Sequence, residues 1–131
     1  VTRREIRKHI FLMLFRKDFH EVKELDEQVE LYIASLEKPS PEEHTYLSER
    51  FHLVVEKLEE IDQILSEAAS GWKISRMSKV DLTILRLAVY EMRFDEDIPI
   101  KVAINEAVEI AKIFGGDESP AFINGVLAKL A

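Results

Sequence analysis

Cysteine is absent from this chain of 131 residues, and glycine and proline number only four each. Without thiols there can be no disulfide scaffold, thiolate zinc site, iron–sulfur cluster or cysteine nucleophile. So little glycine and proline excludes a loop-rich or fibrous chain. No apolar run approaches the roughly 20 residues that a membrane span needs. The period-two alternation of a half-buried strand is missing too. The first residues are basic but lead into a charged amphipathic segment with no small-residue cleavage site, so they do not read as a secretory signal. A cytoplasmic chain with no membrane association is expected.

What the sequence does have is a 47% hydrophobic content beside 33% charged residues. That apolar fraction is too high for a disordered chain, and the length suits one domain with a buried core. A single domain over residues 1–131 is therefore expected. Net charge is −7, but it is unevenly spread. Residues 1–17 hold Arg3, Arg4, Arg7, Lys8, Arg16 and Lys17 against Glu5 alone, leaving twelve cations against twenty-four acids in the rest. An acidic body repels nucleic acid, so one basic end would bind a polyanion locally and in one orientation. A solvated basic helix end with no ligand fits the same charges.

Hydrophobic spacing follows the helical period of 3.6 along nearly the whole chain. Ile6, Ile10 and Leu14 form a first stripe with Phe11 and Phe15 beside it, apolar on most sides from Ile10 to Phe15. Val22, Leu25, Val29, Tyr32/Ile33 and Leu36 form a second, which stops before Pro39. Ser40-Pro41-Glu42-Glu43 reads as a helix start, with Ser40 as cap, Pro41 in the first turn and Glu43 at the capping-box position. The stripe Leu47, Phe51, Val54/Val55, Leu58, Ile61, Leu65, Ala68 follows, with a break near Glu59 left open. Ser70-Gly71 closes that half, and Trp72 is expected to plug the core. Ser78 and Asp81 give a second capping signature, after which Val80–Met92 is apolar on almost every face, as in a central helix. A turn at 95–99, a helix ended by Gly115-Gly116, and a last helix capped by Ser119-Pro120 complete the chain. The expected fold is all-α, with about seven helices in two packed small bundles.

Catalytic and metal constellations are not found. His9, His20, His44 and His52 lack zinc-ligand spacing, no serine lies in a nucleophile elbow, and Gly115-Gly116 lacks the Lys and Ser/Thr of a phosphate loop. The expectation is a non-enzyme with no cofactor and no metal.

The basic start is the more informative feature. Arg3/Arg7 and Arg4/Lys8 are each four apart, forming two adjacent rows of like charge. They also stand at a helix N-terminus, where the macrodipole disfavours cations. A local rule broken without structural return points to function, and arginine's planar fork suits phosphate and base edges. Residues 115–122 form a second patch: a helix start can offer backbone N–H groups to an anion, and Phe122 a face for stacking. Spacing alone places Phe122 four residues before Val126, as a core residue.

Several motifs occur in order: Leu85-Arg86-Leu87-Ala88-Val89-Tyr90-Glu91, Ile98-Pro99, Lys101 through Lys112 (KVAINEAVEIAK), Phe114-Gly115, and Phe122-Ile123-Asn124-Gly125-Val126-Leu127. Together they strongly resemble the NusB family of bacterial transcription antitermination factors. The resemblance is most specific from Trp72 onward. It implies an all-helical RNA-binding protein that pairs with NusE, a small-subunit ribosomal protein, and grips the single-stranded boxA element of nascent RNA. It would so help assemble an antitermination complex on RNA polymerase, including at ribosomal RNA operons.

The family's arginine-rich motif matches Arg3, Arg4 and Arg7, with Lys8 as an added cation, and a family aromatic matches Phe15. The RNA-proximal loop matches Glu118, Ser119 and Phe122, which moves Phe122 from core toward ligand. Asp81 matches an acidic position on the partner and RNA surface, and with Glu91 is expected to face the basic NusE. Pro120-Ala121 departs from a more polar family pair, and the sequence ends at Ala131 without the basic tail of many relatives. Two other readings stay open: a protein-binding adaptor or homodimer using the same surface, and a piece of an RNA methyltransferase. The second would need a Gly-rich cofactor loop after a strand, which this sequence lacks.

Overall fold

A computed structural model describes residues 2–17, 31–33, 36, 40–69 and 74–131. Val22, Leu25 and Val29 of the second stripe, His20, Pro39, and the Ser70-Gly71-Trp72 junction lie outside the described residues. Among the described residues every regular element is helical, and the fold is all-α. In order these are α1 (Arg3–Lys17), α2 (Pro41–Glu56), α3 (Leu58–Ala68), a 3₁₀ turn (Ile74–Arg76), α4 (Lys79–Phe94), α5 (Ile100–Phe114) and α6 (Ser119–Ala128). Residues 31–33 are helical as well. The chain divides into two compact units, one ending at Glu56 and the other running from Lys57 to Ala131.

In the first unit α1 packs on α2. Ile10, Phe11, Met13 and Leu14 are buried on α1, and Leu47, Phe51 and Val54 on α2. Burying Phe11 or Phe51 stabilises the fold by about 1.5–3 kcal/mol each. The expected start of α2 is present: Ser40 N–H donates to Glu43 Oε1 at 2.9 Å, and Glu43 N–H donates to Ser40 Oγ at 3.1 Å. This reciprocal pair satisfies two donors that a helix start leaves open. The backbone bond to Ser40 also holds the half-buried Glu43 carboxyl below its ordinary pKa.

In the second unit α4 is central, packing against α3, α5 and α6. Its buried residues run from Leu82 to Met92 with only Arg86 outside the buried set, as the all-round apolar pattern predicts. Arg86 grips Asp62 of α3 through two bonds of 2.9 Å, a planar fork on a carboxylate. Ser78 caps α4, its Oγ accepting from Asp81 N–H at 3.0 Å.

The break left open near Glu59 is present at Lys57, two residues earlier, where φ −99° and ψ 5° leave helical geometry between α2 and α3. One boundary differs from expectation. Ser119 is not the cap of α6. Glu118 holds that position without a side-chain bond, Ser119 is already the first helical residue, and its Oγ accepts from Gly116 N–H at 3.1 Å.

Candidate nucleic-acid interface

The basic helix starts with a cap that the sequence analysis passed over. Thr2 Oγ1 accepts from Glu5 N–H at 3.1 Å, so Thr2-x-x-Glu5 is the signal that could have found it. A neutral hydroxyl thus anchors a helix start crowded with cations.

The four cations assigned to RNA do not share one environment. Arg3 and Arg4 are exposed and Lys8 is half-buried. Arg7 is only 9% exposed and has interactions within the protein. The cause lies in spacing: Arg7 precedes Ile10 by three residues, Phe11 by four and Leu14 by seven, which places it on the buried stripe of α1. Its guanidinium is therefore an inward group, unlike those of the exposed Arg3 and Arg4. Arg4, Lys8 and Phe15 instead follow one another at intervals of four and seven along a neighbouring stripe. Phe15 is half-buried, its ring stacked on Phe11 with centroids 6.2 Å apart and planes at 23°. Two cations and a fixed aromatic ring so run along a single side of α1.

Behind this side stands a contact that no spacing rule flagged. His9 Nδ1 and the Tyr32 hydroxyl share a hydrogen bond of 2.8 Å, and the Arg16 guanidinium lies 5.6 Å from the Tyr32 ring centre. Burial, and then the charge of Lys8, lower the His9 pKa, while burial raises that of Tyr32. The pair is neutral at neutral pH, so the positive charge of α1 belongs to its arginines and lysines.

The second patch lies in the other unit, at the start of α6. Glu118 is exposed, Ser119 is 7% exposed, and Phe122 is partly buried. Ser119 N–H donates to Gly116 O at 3.0 Å while Gly116 N–H donates to Ser119 Oγ, so the serine ties the loop together. Its hydroxyl oxygen is engaged inside the loop. Phe122 presents part of its ring, between the two readings of core and platform.

Asp81 and Glu91, assigned to a partner, are not brought to one face. They are ten residues apart on α4, nearly three turns and about 15 Å along the axis. Glu91 is 6% exposed and has interactions within the protein. Asp81 lies in the first turn of α4, where a carboxylate suits the macrodipole, and its Oδ1 is buried with no hydrogen-bond partner among the described residues. Among the described residues no cluster of His, Cys, Asp or Glu could hold a metal ion, and no helix is long and apolar enough to cross a membrane.

Comparison with known proteins gives a consistent picture. Residues 4–131 match the NusB family. The chain is 61% identical over 130 residues to the transcription antitermination protein NusB of Lachnoclostridium phytofermentans, covering 99% of this chain and 98% of that one. Among solved structures it is similar to T. maritima NusB, with a TM-score of 0.89, 35% identity, and coverage of 100% of this chain and 91% of the other. It is also similar to a chain from the crystal structure of the antitermination factors NusB and NusE in complex with dsRNA. There the TM-score is 0.77 at 27% identity, with 96% of this chain and 92% of that chain covered.

Proposed function

Because the chain belongs to the NusB family, we propose that it is a non-catalytic, cytoplasmic transcription antitermination factor that binds RNA together with a NusE ribosomal protein. The observation that carries this reading is the stripe of Arg4, Lys8 and Phe15 on α1. Cations spaced one turn apart meet successive phosphates, and a ring held by Phe11 offers a base a flat surface at little entropic cost. Arg3 adds charge at the helix start. Arg7 acts from inside, holding α1 in place while contributing to the local potential.

The start of α6 supplies the second contact. Phe122 offers a partly exposed ring, with Glu118 and Ser119 shaping the loop before it. NusE docks at Asp81, where a basic partner meets the acidic first turn of α4. Glu91 is buried farther along the same helix and supports α4 from within. The preferred RNA is the single-stranded boxA element, whose unstacked bases can reach aromatic rings. Holding that RNA beside RNA polymerase raises its effective concentration there, which is how an assembly factor acts without catalysis.

The test is a titration of fluorescent boxA-type RNA, single-stranded and as a duplex, with and without NusE, at two salt concentrations. The reading expects tighter binding to the single strand, strengthening with NusE, and a clear loss of affinity in high salt. A protein that captures NusE but shows no salt-dependent RNA binding is an adaptor instead. A protein whose mass in solution is that of a dimer, and which loses RNA binding as the dimer forms, uses the basic face for self-association.

A further inference from the structure

Helix α2 carries a feature that the RNA reading does not use. Tyr46, Arg50 and Leu53 follow at intervals of four and three and so share one stripe of the helix. Tyr46 is 43% exposed and Leu53 46%. This stripe lies beside, not beneath, the buried stripe of Leu47, Phe51 and Val54 that faces the core. Arg50 fixes the aromatic end: its guanidinium lies 5.3 Å from the ring centre of Tyr46, and Nη2 donates to the Tyr46 hydroxyl at 3.0 Å. An exposed tyrosine held in this way loses little further freedom on docking.

A second row accompanies the first. Glu42, Glu49 and Glu56 repeat every seven residues, and all three are exposed. Each lies three or four positions from Tyr46 or Leu53, so the carboxylates line one edge of the apolar stripe over the length of α2. A seven-residue repeat of apolar contacts with a flanking row of one charge is how one helix selects another.

We infer that this face of α2 is a docking seam for a basic amphipathic helix of a partner protein, with aliphatic residues in its seam and Lys or Arg along one flank. Charge complementarity selects that occupant. Three carboxylates repel nucleic acid, so the face does not extend the RNA surface. A second copy of this chain lacks the matching element among its described residues, because the apolar stripe of its own basic helix, α1, is buried. Tyrosine and arginine, which head this stripe, are among the residues that most often dominate binding energy at interfaces.

The probe is a fluorescein-labelled three-heptad peptide with a leucine seam flanked by lysines, compared with a twin carrying glutamates instead, each titrated into the full chain. The lysine peptide is expected to bind and its twin to bind about tenfold more weakly or not at all. Combined Glu42→Gln, Glu49→Gln and Glu56→Gln substitutions, or Leu53→Ser alone, are expected to weaken the lysine peptide by about tenfold. All these sites are exposed, so thermal melting shifts little while peptide binding falls, which separates lost docking from lost folding. Equal binding of the two peptides, or binding indifferent to those substitutions, overturns the assignment. So does a dimer in sedimentation that Leu53→Ser dissolves, which gives the face to a second copy. RNA affinity that falls on Tyr46→Ala gives it to RNA and overturns the assignment equally.

Discussion

Gly115 lies so close to Ser119 that a Cβ on the glycine would sit 2.5 Å from the serine Cβ and 2.8 Å from the carbonyl oxygen of Ala111. The backbone at Gly115 is extended, with φ −89° and ψ −179°, so the demand is for space and not for an unusual dihedral. Gly116, next to it, has nothing within 4 Å of such a Cβ. Gly115→Ala should therefore destabilise the protein by about 1–3 kcal/mol through overpacking. Gly116→Ala should be tolerated. Urea denaturation of the two variants checks the contrast, and equal midpoints would remove the role given to this contact.

Arg4 and Arg7 should separate when replaced by alanine. Arg4 is exposed, so Arg4→Ala should leave stability near its starting value and flatten the salt dependence of RNA binding by roughly 0.7 per lost phosphate contact. Arg7 is buried, so Arg7→Ala should cost about 1–3 kcal/mol of stability by leaving its partners unsatisfied. Denaturation and RNA titration at two salt concentrations, run on both variants, read the two effects independently.

Phe122 should show a mixed loss. Its ring is partly buried, so Phe122→Ala should cost less than the about 3–5 kcal/mol of a fully enclosed phenylalanine. It should also weaken boxA binding by about 1–3 kcal/mol as a stacking surface is lost. A large fall in denaturation midpoint with normal RNA affinity would return Phe122 to the core.

His9 sets a pH dependence of stability. Burial holds its folded pKa below the ordinary value of 6.5, so the unfolded chain binds the proton more tightly. Its contribution is fully present above that ordinary value and is lost as pH falls from there toward the folded pKa. Thermal melts across that range should show lower stability on the acid side, and His9→Gln should reduce the slope. An identical slope in the variant would place its origin in other groups.

Much of the fold is readable from local rules because local rules determine it. The Ser40–Glu43 box and the Ser78 cap are short-range hydrogen bonds written in four residues each. The all-round apolar run of α4 announces a helix with neighbours on every side. The break at Lys57 has no glycine, proline or cap to mark it, since the apolar stripe continues from Val54 to Leu58 across the gap. Ser119 looked like a cap by residue type, yet its hydroxyl is drawn back to Gly116 by a loop whose geometry is tertiary. For the site, the charge of α1 was plain in the sequence, and so was the evidence that Arg7 turns inward, three residues ahead of Ile10. The His9–Tyr32 contact joins positions 23 apart, beyond the reach of any periodicity.

The Thr2 cap gives the ionic strength of the surroundings two opposite effects. The Thr2 hydroxyl adds no charge, and Glu5 in the first turn offsets only part of the mutual repulsion of Arg4 and Lys8 and of the conflict of Arg3 with the helix dipole. Dissolved ions screen both of these unfavourable fields, and they screen the attraction for phosphate in the same measure. The helix is thus firmest under the conditions in which it holds RNA least. A concentrated-salt stock should keep the protein well and inactive, and dilution should restore its grip while loosening the element that provides it.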